Sequence, residues 1–266
     1  MKATVNGIET CYELHGKPGA PWLAFSHSLA CNLRMWDGQV AALKDRFRIL
    51  LYDTRGHGQT AAAPGPYTRE ALADDLRALL GHLEIQRLHF VGLSMGGMIG
   101  QTFALKYPGL LSSLTLADTT SRYPPEAAAL WAARIQTAQA QGMQPLVQPT
   151  LERWFTEGFR QRAPDQVGAI GGAIAATPVA GYVGCSHAIP KIDLTARLKE
   201  IACPILVLCG DKDPGTPPEM SRAIHENAPG SRLVMIPEAA HLSNIEQPEA
   251  FNRALDGFLG AALTKR

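Results

Sequence analysis

The sequence lacks a strong charge of either sign. Lys and Arg together number 25 and Asp and Glu number 24, which gives a formal net charge of +1. Nucleic acids and anionic membranes attract proteins through clusters of positive charge, so a nearly neutral chain argues against both partners. The balance favours a small-molecule ligand that is neutral or modestly anionic.

Cysteines are few, and they are scattered along the chain without regular spacing. There are five, an odd number, and no two of them form a C-x-x-C pair. Disulfide frameworks and structural zinc sites need paired or regularly spaced cysteines. We therefore expect five reduced thiols, namely Cys11, Cys31, Cys185, Cys203 and Cys209.

Long apolar runs are also absent. The first residues, Met1 to Gly7, do not contain the apolar core of a signal peptide. No later stretch approaches the roughly 20 apolar residues that a membrane-spanning helix requires. The sequence thus predicts a cytoplasmic protein with no membrane partner.

Motifs for metals and cofactors are missing as well. The chain contains no H-E-x-x-H pair, no Walker A lysine loop and no G-x-G-x-x-G fingerprint. We therefore predict neither a metal nor a cofactor. The length of 266 residues, 46% of them hydrophobic, is sufficient for one domain that carries an insertion.

What the sequence does contain is a serine between glycines, in the segment Gly92 to Gly96. This G-x-S-x-G pattern follows an apolar, strand-like run, Leu88 to Val91, and precedes a helix-like one, which is typical of a nucleophile elbow. Only residues without a Cβ allow the strand and helix to approach so closely. Ser94 is therefore the candidate nucleophile, although the five-residue pattern alone is weak because Gly and Ser also fill ordinary loops.

Partners for the serine lie downstream of it. The apolar run Ile205 to Cys209 is followed by Asp211 and Asp213, and a later apolar run is followed by His241. The order Ser, Asp, His is that of the α/β-hydrolases and differs from the orders in chymotrypsin and subtilisin. We favour Asp213 as the acid. Asp211 and Asp118, the latter after another short strand, are the competing candidates for the acid. Their ordinary structural explanations are a turn residue for Asp211 and a cap or loop residue for Asp118.

Two backbone N–H groups are candidates for an oxyanion hole. One belongs to Met95, directly after the serine, and the other to Leu29, in the loop that follows the apolar run Trp22 to Phe25. The hydroxyl of Ser28, in the same loop, is a candidate substrate contact, with an ordinary loop serine as the alternative.

Short apolar runs alternate with helix-like segments over most of the chain. This alternation predicts a doubly wound, mostly parallel sheet formed by residues 1–120 and 197–266. The predicted strands are Thr10 to Leu14, Trp22 to Phe25, Phe47 to Tyr52, Leu88 to Leu93, Leu114 to Ala117, Ile205 to Cys209 and Leu233 to Ile236.

Residues 121–196 interrupt the alternation, because they show no strand pattern and are rich in Ala, Gln and Arg. We expect a helical lid that covers the serine and excludes water. Trp131 and Trp154 are its candidate substrate contacts. Most of its cations should simply be solvated and balanced by nearby acids; they are Arg122, Arg134, Arg153, Arg160, Arg162 and Lys191.

Several of these segments together resemble the 3-oxoadipate enol-lactonases, which are α/β-hydrolases of the β-ketoadipate route of aromatic catabolism. The shared motifs span nearly the whole chain: Phe25 to Leu29, Met35 to Asp37, Tyr52 to Gly58, Gly92 to Met98, Arg153 to Thr156 and Ala240 to Pro248. The resemblance implies an α/β-hydrolase fold with a helical lid, and hydrolysis of a lactone or ester through an acyl-enzyme. It also implies that Arg134, which looks like the family's lid arginine, contacts a substrate carboxylate.

The chain departs from the family pattern at three places. Residues 168–173 contain no arginine, the turn 189–193 lacks the usual Arg-Asp pair, and His27 stands where asparagine is more common. Three alternatives therefore stay open: a carboxylesterase with another substrate, a cofactor-free haloperoxidase or perhydrolase with the same elbow, and a ligand-binding module without catalysis. A homo-oligomer is also left open.

Overall fold

An eight-stranded sheet forms the centre of the structure, a computed structural model that describes residues 1–263. The strands are β1 (Lys2–Val5), β2 (Ile8–His15), β3 (Trp22–Ser26), β4 (Arg48–Tyr52), β5 (Leu88–Leu93), β6 (Leu111–Ala117), β7 (Ile205–Gly210) and β8 (Arg232–Ile236). Their order in the sheet is β1-β2-β4-β3-β5-β6-β7-β8. The first two strands pair antiparallel with their neighbours and all others run parallel. The predicted mostly parallel sheet is confirmed.

Helices connect the parallel strands, as the short apolar runs require. In the described part of the chain they are α1 (Asp37–Leu43), α2 (Arg69–His82), α3 (Met95–Lys106), α4 (Ala127–Gln141), α5 (Gln144–Trp154), α6 (Glu157–Arg162), α7 (Pro164–Ala176), α8 (Val179–Ser186), α9 (Pro218–Asn227), α10 (Ser243–Glu246) and α11 (Pro248–Leu263).

Both faces of the sheet are buried. Along β3, Leu23 and Phe25 belong to one hydrophobic cluster while Ala24, between them, belongs to the other. β4 alternates in the same way, with Leu50 on the opposite face from its neighbours. Parallel strands covered on both sides read as continuous apolar runs, which is why the sequence indicated them.

One strand differs from the sequence prediction. β1 contains only four residues, and Lys2 and Thr4 are exposed while Ala3 and Val5 are buried. It is the edge strand, paired antiparallel with β2. Four alternating residues are too few to distinguish a strand from an irregular terminus, so the apolar-run criterion did not detect it.

Five helices, α4 to α8, fill the segment between β6 and β7. α5 packs against α7, and α4 packs against α8. No single helix within residues 1–263 has the length and apolar composition to cross a membrane; only the bent pair of residues 164–176 and 179–191 reaches that length, with a 91° angle between its halves.

Helix α2 offers a test of the local sequence signals. Thr68 lies in extended conformation before the helix, and its side-chain oxygen accepts a hydrogen bond from the Ala71 N–H at 3.1 Å. Removing such a cap costs about 1 kcal/mol, so Thr68→Ala should lower the free energy of unfolding in urea by about that amount.

The matched control is Thr137→Ala. Thr137 lies inside α4, where its hydroxyl only donates back to the Ala133 carbonyl, and alanine is a good helix former. We expect a change within about 0.5 kcal/mol for this variant. Equal losses for both variants would show that Thr68 does not act as a cap.

Candidate active site

Ser94 occupies a strained turn between β5 and α3. Its backbone has φ +55° and ψ −116°, a region that residues with a Cβ rarely adopt. Two neighbours hold it there: the Ser94 N–H donates to the Ala117 carbonyl at 2.9 Å, and the Thr119 hydroxyl donates to the Ser94 carbonyl at 2.7 Å. Strain that the surroundings maintain in this way is typical of functional sites.

The glycines around the serine are required by close backbone contacts. A Cβ on Gly92 would lie 2.2 Å from the Gly96 carbonyl oxygen, and a Cβ on Gly96 would lie 2.1 Å from the Ser26 carbonyl oxygen. Neither position accommodates a larger residue without moving the strand or the helix. The motif in the sequence thus corresponds to a real close approach of β3, β5 and α3.

His241 and Asp213 form a buried pair. Nδ1 of His241 lies 2.8 Å from Oδ2 of Asp213, and both residues are almost entirely shielded from solvent. Asp213 also accepts hydrogen bonds from the Gly215 N–H, the Thr216 N–H and the Thr216 hydroxyl, at 2.7, 3.1 and 2.7 Å. With the carboxylate facing Nδ1, that nitrogen carries the proton and Nε2 is available to accept one.

Of the three candidate acids, Asp213 is the one bonded to His241. Asp211 is exposed, and its N–H donates to the Ile236 carbonyl at 3.0 Å, consistent with a turn residue. Asp118 is fully buried and bonds elsewhere, to the Gly210 N–H and to Ser243. The sequence interpretation of Asp118 as an ordinary cap or loop residue does not account for this burial.

Ser94 and His241 line one cavity of about 140 Å³. The other sequence-predicted contacts that line the same cavity are Ser28, Leu29, Trp131, Arg134 and Trp154. The Trp154 ring stacks on the imidazole of His241 with centroids 5.9 Å apart. Among the described residues no hydrogen bond joins the Ser94 hydroxyl to His241; in hydrolases such bonds often shorten only when substrate binds.

The loop after β3 brings its backbone towards the serine. A turn closed by the Cys31 N–H and the Ser28 carbonyl, 3.1 Å apart, leaves the N–H of Leu29 outside the turn's own bond. Met95, the first residue of α3, lies where helix N–H groups have no partner within the helix. Both N–H groups thus lack a partner within their own turn or helix; Leu29 lines the cavity with Ser94, whereas Met95 is not among the lining residues.

His27 fixes this loop rather than reacting. Its Nδ1–H donates to the Ser28 carbonyl at 2.7 Å, and its Nε2 accepts from the Thr54 N–H at 2.9 Å. Burial lowers the pKa of His27 to about 4, so the ring is neutral at physiological pH. The hydroxyl oxygen of Ser28 is buried and has no hydrogen-bond partner among residues 1–263, which leaves it free for a ligand in the cavity.

Sequence reasoning did not single out Arg153 as a cavity residue; it was one of six lid cations, most of which were expected to be solvated. Arg153 lines the cavity together with Arg134, and among the described residues its hydrogen bonds go to the Pro149 carbonyl and the Thr150 hydroxyl, at 3.2 and 3.3 Å. Burial, and then repulsion from Arg134, lower the pKa of Arg153 to about 10. Its place in the motif Arg153 to Thr156, directly before Trp154, was the signal that could have identified it.

Neither cavity arginine is neutralised. Within residues 1–263 no carboxylate lies at ion-pair distance from Arg134 or Arg153. The guanidinium of Arg134 instead lies 4.8 Å from the ring centroid of Trp131. By contrast, Arg160 pairs with Glu152 at 3.9 Å, as expected for a surface cation. The cavity thus presents two positive charges that form no ion pair with a carboxylate of the described chain.

One group of metal-type donors exists in the described part of the chain. Atoms of Asp118, Cys209 and Asp213 lie within 4.8 Å of one another. The carboxylate oxygens of both aspartates are already occupied by protein donors. Since bound donors cannot also coordinate an ion without breaking these bonds, we assign no metal to this group.

Comparisons with known proteins agree with this geometry. Residues 14–248 match the family model described as alpha/beta hydrolase fold. The chain is 37% identical to 3-oxoadipate enol-lactonase 2 of Acinetobacter baylyi, over 96% of this chain and 95% of that one. It is 32% identical to a putative carbamate hydrolase, RutD, of Agrobacterium fabrum, over 93% and 97%. The crystal structure of the enol-lactonase from Burkholderia xenovorans superposes with a TM-score of 0.94 at 38% identity, covering 98% of this chain and all of that one.

Proposed function

This chain belongs to the α/β-hydrolase fold family, and from that premise we propose that it is a serine hydrolase that opens 3-oxoadipate enol-lactone. Its substrate is a small lactone or ester whose carbonyl reacts with Ser94. Asp213 and His241 complete the catalytic triad. The similarity to enol-lactonases of Acinetobacter baylyi and Burkholderia xenovorans supports this assignment.

Acylation follows from the positions of the triad. The hydroxyl of Ser94 attacks the lactone carbonyl, and Nε2 of His241 takes its proton. Asp213 keeps the imidazole in the required tautomer and stabilises its positive charge. The negative charge that develops on the carbonyl oxygen is met by the N–H groups of Leu29 and Met95, which form the proposed oxyanion hole.

Ring opening and deacylation use the same imidazole. The tetrahedral intermediate collapses, the lactone C–O bond breaks, and His241 gives its proton to the departing enol oxygen, which stays attached to the acyl chain. Water then attacks the acyl-enzyme while His241 accepts a proton from it. The proton returns to Ser94, and a dicarboxylate leaves.

The uncompensated arginines carry the choice of substrate. An enol-lactone with an acetate side chain has a carboxylate, and a site that selects it should offer a cation at a fixed distance from the nucleophile. Arg134 and Arg153 line the cavity with Ser94 and have no carboxylate partner among the described residues. We assign the substrate carboxylate to this pair, with Ser28, Trp131 and Trp154 shaping the remaining surface.

We also propose that residues 121–196 act as a lid over a core formed by residues 1–120 and 197–266. Cavity residues supplied by the segment include Trp131, Arg134 and Trp154, whereas Ser94 and His241 come from the core. The enclosed geometry would keep water from competing with ring opening. Cytoplasmic localisation and homo-oligomer formation stay predictions.

Steady-state kinetics test the proposed function. We expect kcat/KM for 3-oxoadipate enol-lactone to exceed that for p-nitrophenyl acetate by about 100-fold or more, because the neutral ester forgoes a charge-assisted contact worth about 3 kcal/mol. Ester turnover without any lactone turnover would reject the substrate and retain the mechanism.

The same assay separates the other candidates. Similarity to putative carbamate hydrolases makes carbamates a necessary comparison, and preference for a carbamate over the lactone would assign the protein to that activity. Peroxide-dependent bromination that exceeds hydrolysis would indicate a perhydrolase. A failure of Ser94 to react with a fluorophosphonate, with tight binding of a small acid, would indicate a non-catalytic binding module.

A further inference from the structure

Asp118 is a buried carboxyl group that the proposed mechanism does not use. It lies directly after β6 with φ +44° and is completely buried. Its Oδ1 accepts a hydrogen bond from the Gly210 N–H at 2.7 Å, and its Oδ2 lies 2.5 Å from the hydroxyl oxygen of Ser243. Its own N–H donates to the Leu208 carbonyl at 2.9 Å. A residue held in the left-handed region by three such bonds is fixed in one orientation.

The two groups that donate to the Asp118 carboxyl group lie next to Asp213 and His241 in the chain. Gly210 ends β7 and precedes Asp213 by three residues, while Ser243 follows His241 by two. One carboxyl group thus connects the strand end that carries the acid to the loop that carries the base. The same two segments are also joined by the Lys212 N–H, which donates to the Ala239 carbonyl at 2.9 Å.

We propose that Asp118 is a positioning residue whose carboxyl group clamps the Asp213 loop to the His241 loop and so sets the imidazole over Ser94. The proposal rests on the serine-hydrolase chemistry proposed above but not on the identity of the substrate. Asp118 acts through its two bonded partners, Gly210 and Ser243.

The surroundings of Asp118 oppose its ionisation, although the hydrogen bonds from Gly210 and Ser243 favour the charged form. Its carboxyl atoms lie within 4.8 Å of Asp213, and two carboxylates this close do not readily ionise together. Asp213 accepts four hydrogen bonds, one of them from Nδ1 of His241, whereas the carboxyl group of Asp118 accepts two. Burial, and then the negative charge of Asp213, raise the pKa of Asp118 well above its usual range.

The other titratable groups near Asp118 leave this balance unchanged. Glu246 of α10 adds a further negative charge that opposes ionisation of Asp118. Burial raises the pKa of the Cys209 thiol of β7, which keeps it neutral. The Ser243 hydroxyl donates to Oδ2 of Asp118 and the Gly210 N–H donates to Oδ1, so both bonds of the clamp need only acceptor atoms on Asp118.

The test compares Asp118→Ala with Asp118→Asn, using p-nitrophenyl acetate hydrolysis and the rate of fluorophosphonate labelling. Alanine removes both bonds, and kcat and the labelling rate should fall about 10- to 100-fold while KM stays within about twofold, since misplacing a catalytic group by 1 Å costs about this much. Asparagine keeps the shape and an acceptor for Gly210, so it should restore kcat to within about threefold of the wild type.

A matched control and a second variant keep the result interpretable. Thr115→Ala truncates another buried side chain of β6, and it should lower the melting temperature without changing kcat. Ser243→Ala removes only the bond to the His241 loop and should lower kcat about 3- to 10-fold. This variant tests the proposal if Asp118→Ala does not fold.

Three outcomes would overturn the proposal. If the alanine and Ser243 variants both keep wild-type kcat, Asp118 does not position the pair. If asparagine loses as much activity as alanine, the charge matters rather than the clamp. If the wild type itself is not labelled by the fluorophosphonate, the proposed function fails first, and the positioning role fails with it.

The protonation state has its own readout in the pH dependence of stability. The pKa of Asp118 is raised in the folded protein. Above about pH 4, the ordinary pKa of Asp, the unfolded chain therefore loses this proton while the folded protein keeps it. The free energy of unfolding consequently falls as the pH rises above that value. The Asp118→Asn variant does not lose stability in this way, because an amide side chain does not ionise. Its melting temperature should exceed that of the wild type by a margin that grows with pH; a margin independent of pH would contradict the neutral clamp.

Discussion

Replacing Ser94 with alanine is expected to lower kcat by about 10⁴- to 10⁶-fold on any ester or lactone that the wild type turns over. The variant keeps the oxyanion hole and the cavity but loses the group that forms the acyl-enzyme, and removal of a triad nucleophile has effects of this size. Labelling by a fluorophosphonate, followed by intact mass, should disappear completely, while KM and the melting temperature change little.

Ser28→Ala is the matched control, because Ser28 lines the same cavity. This variant should still take up one fluorophosphonate per chain and lose at most about tenfold in kcat/KM, the effect of one hydrogen bond. Labelling that persists in Ser94→Ala, or that moves to Ser28, would show that the strained serine is not the nucleophile.

The sequence was sufficient to place the strands that carry the site. β3, β5 and β7 are apolar runs buried on both faces, and each ends in the loop that holds a predicted functional residue. Their detection depends only on local composition. The same criterion missed β1, where four residues alternate between exposed and buried at a sheet edge, and it began β6 three residues late because Ser112 and Ser113 are polar.

Charge and burial in the site could not be derived from the sequence. Asp118 and Asp213 each follow a strand and both are buried, and only the folded structure shows that Asp213 meets His241 while Asp118 bonds to Gly210 and Ser243. The motif Arg153 to Thr156 could single out Arg153, but its place in the cavity depends on how α5, which contains an internal proline, packs against α7. Local patterns do not encode such contacts between distant segments.

The largest expected effect on substrate choice comes from Arg153. In Arg153→Met, KM for 3-oxoadipate enol-lactone should rise about 10- to 100-fold with kcat nearly unchanged, since a hydrogen bond to a charged group contributes about 1.5–3 kcal/mol. KM for p-nitrophenyl acetate should stay within about twofold. Arg134→Met should behave alike, and the double variant should bind the lactone least.

Arg162→Met provides the matched control for the loss of an arginine. Arg162 is exposed, its guanidinium lies 4.9 Å from the ring centroid of Phe159, and it does not line the cavity. We expect no change in KM for either substrate. If the cavity variants raise KM equally for the lactone and the neutral ester, the arginines pack against the substrate without recognising its charge.

The same pair of arginines should leave a signature in stability. Burial and repulsion from Arg134 lower the pKa of Arg153 to about 10. Below that pH the protonated guanidinium is therefore less stable in the folded protein than in the unfolded chain, and it lowers the free energy of unfolding. Arg153→Met removes this penalty, and its melting temperature without ligand should therefore not fall below that of the wild type. Adipate, a six-carbon dicarboxylate, should raise the melting temperature of the wild type and of Arg162→Met but not of Arg153→Met. A cavity that is less stable when empty and more stable when filled by an anion is one built for binding that anion.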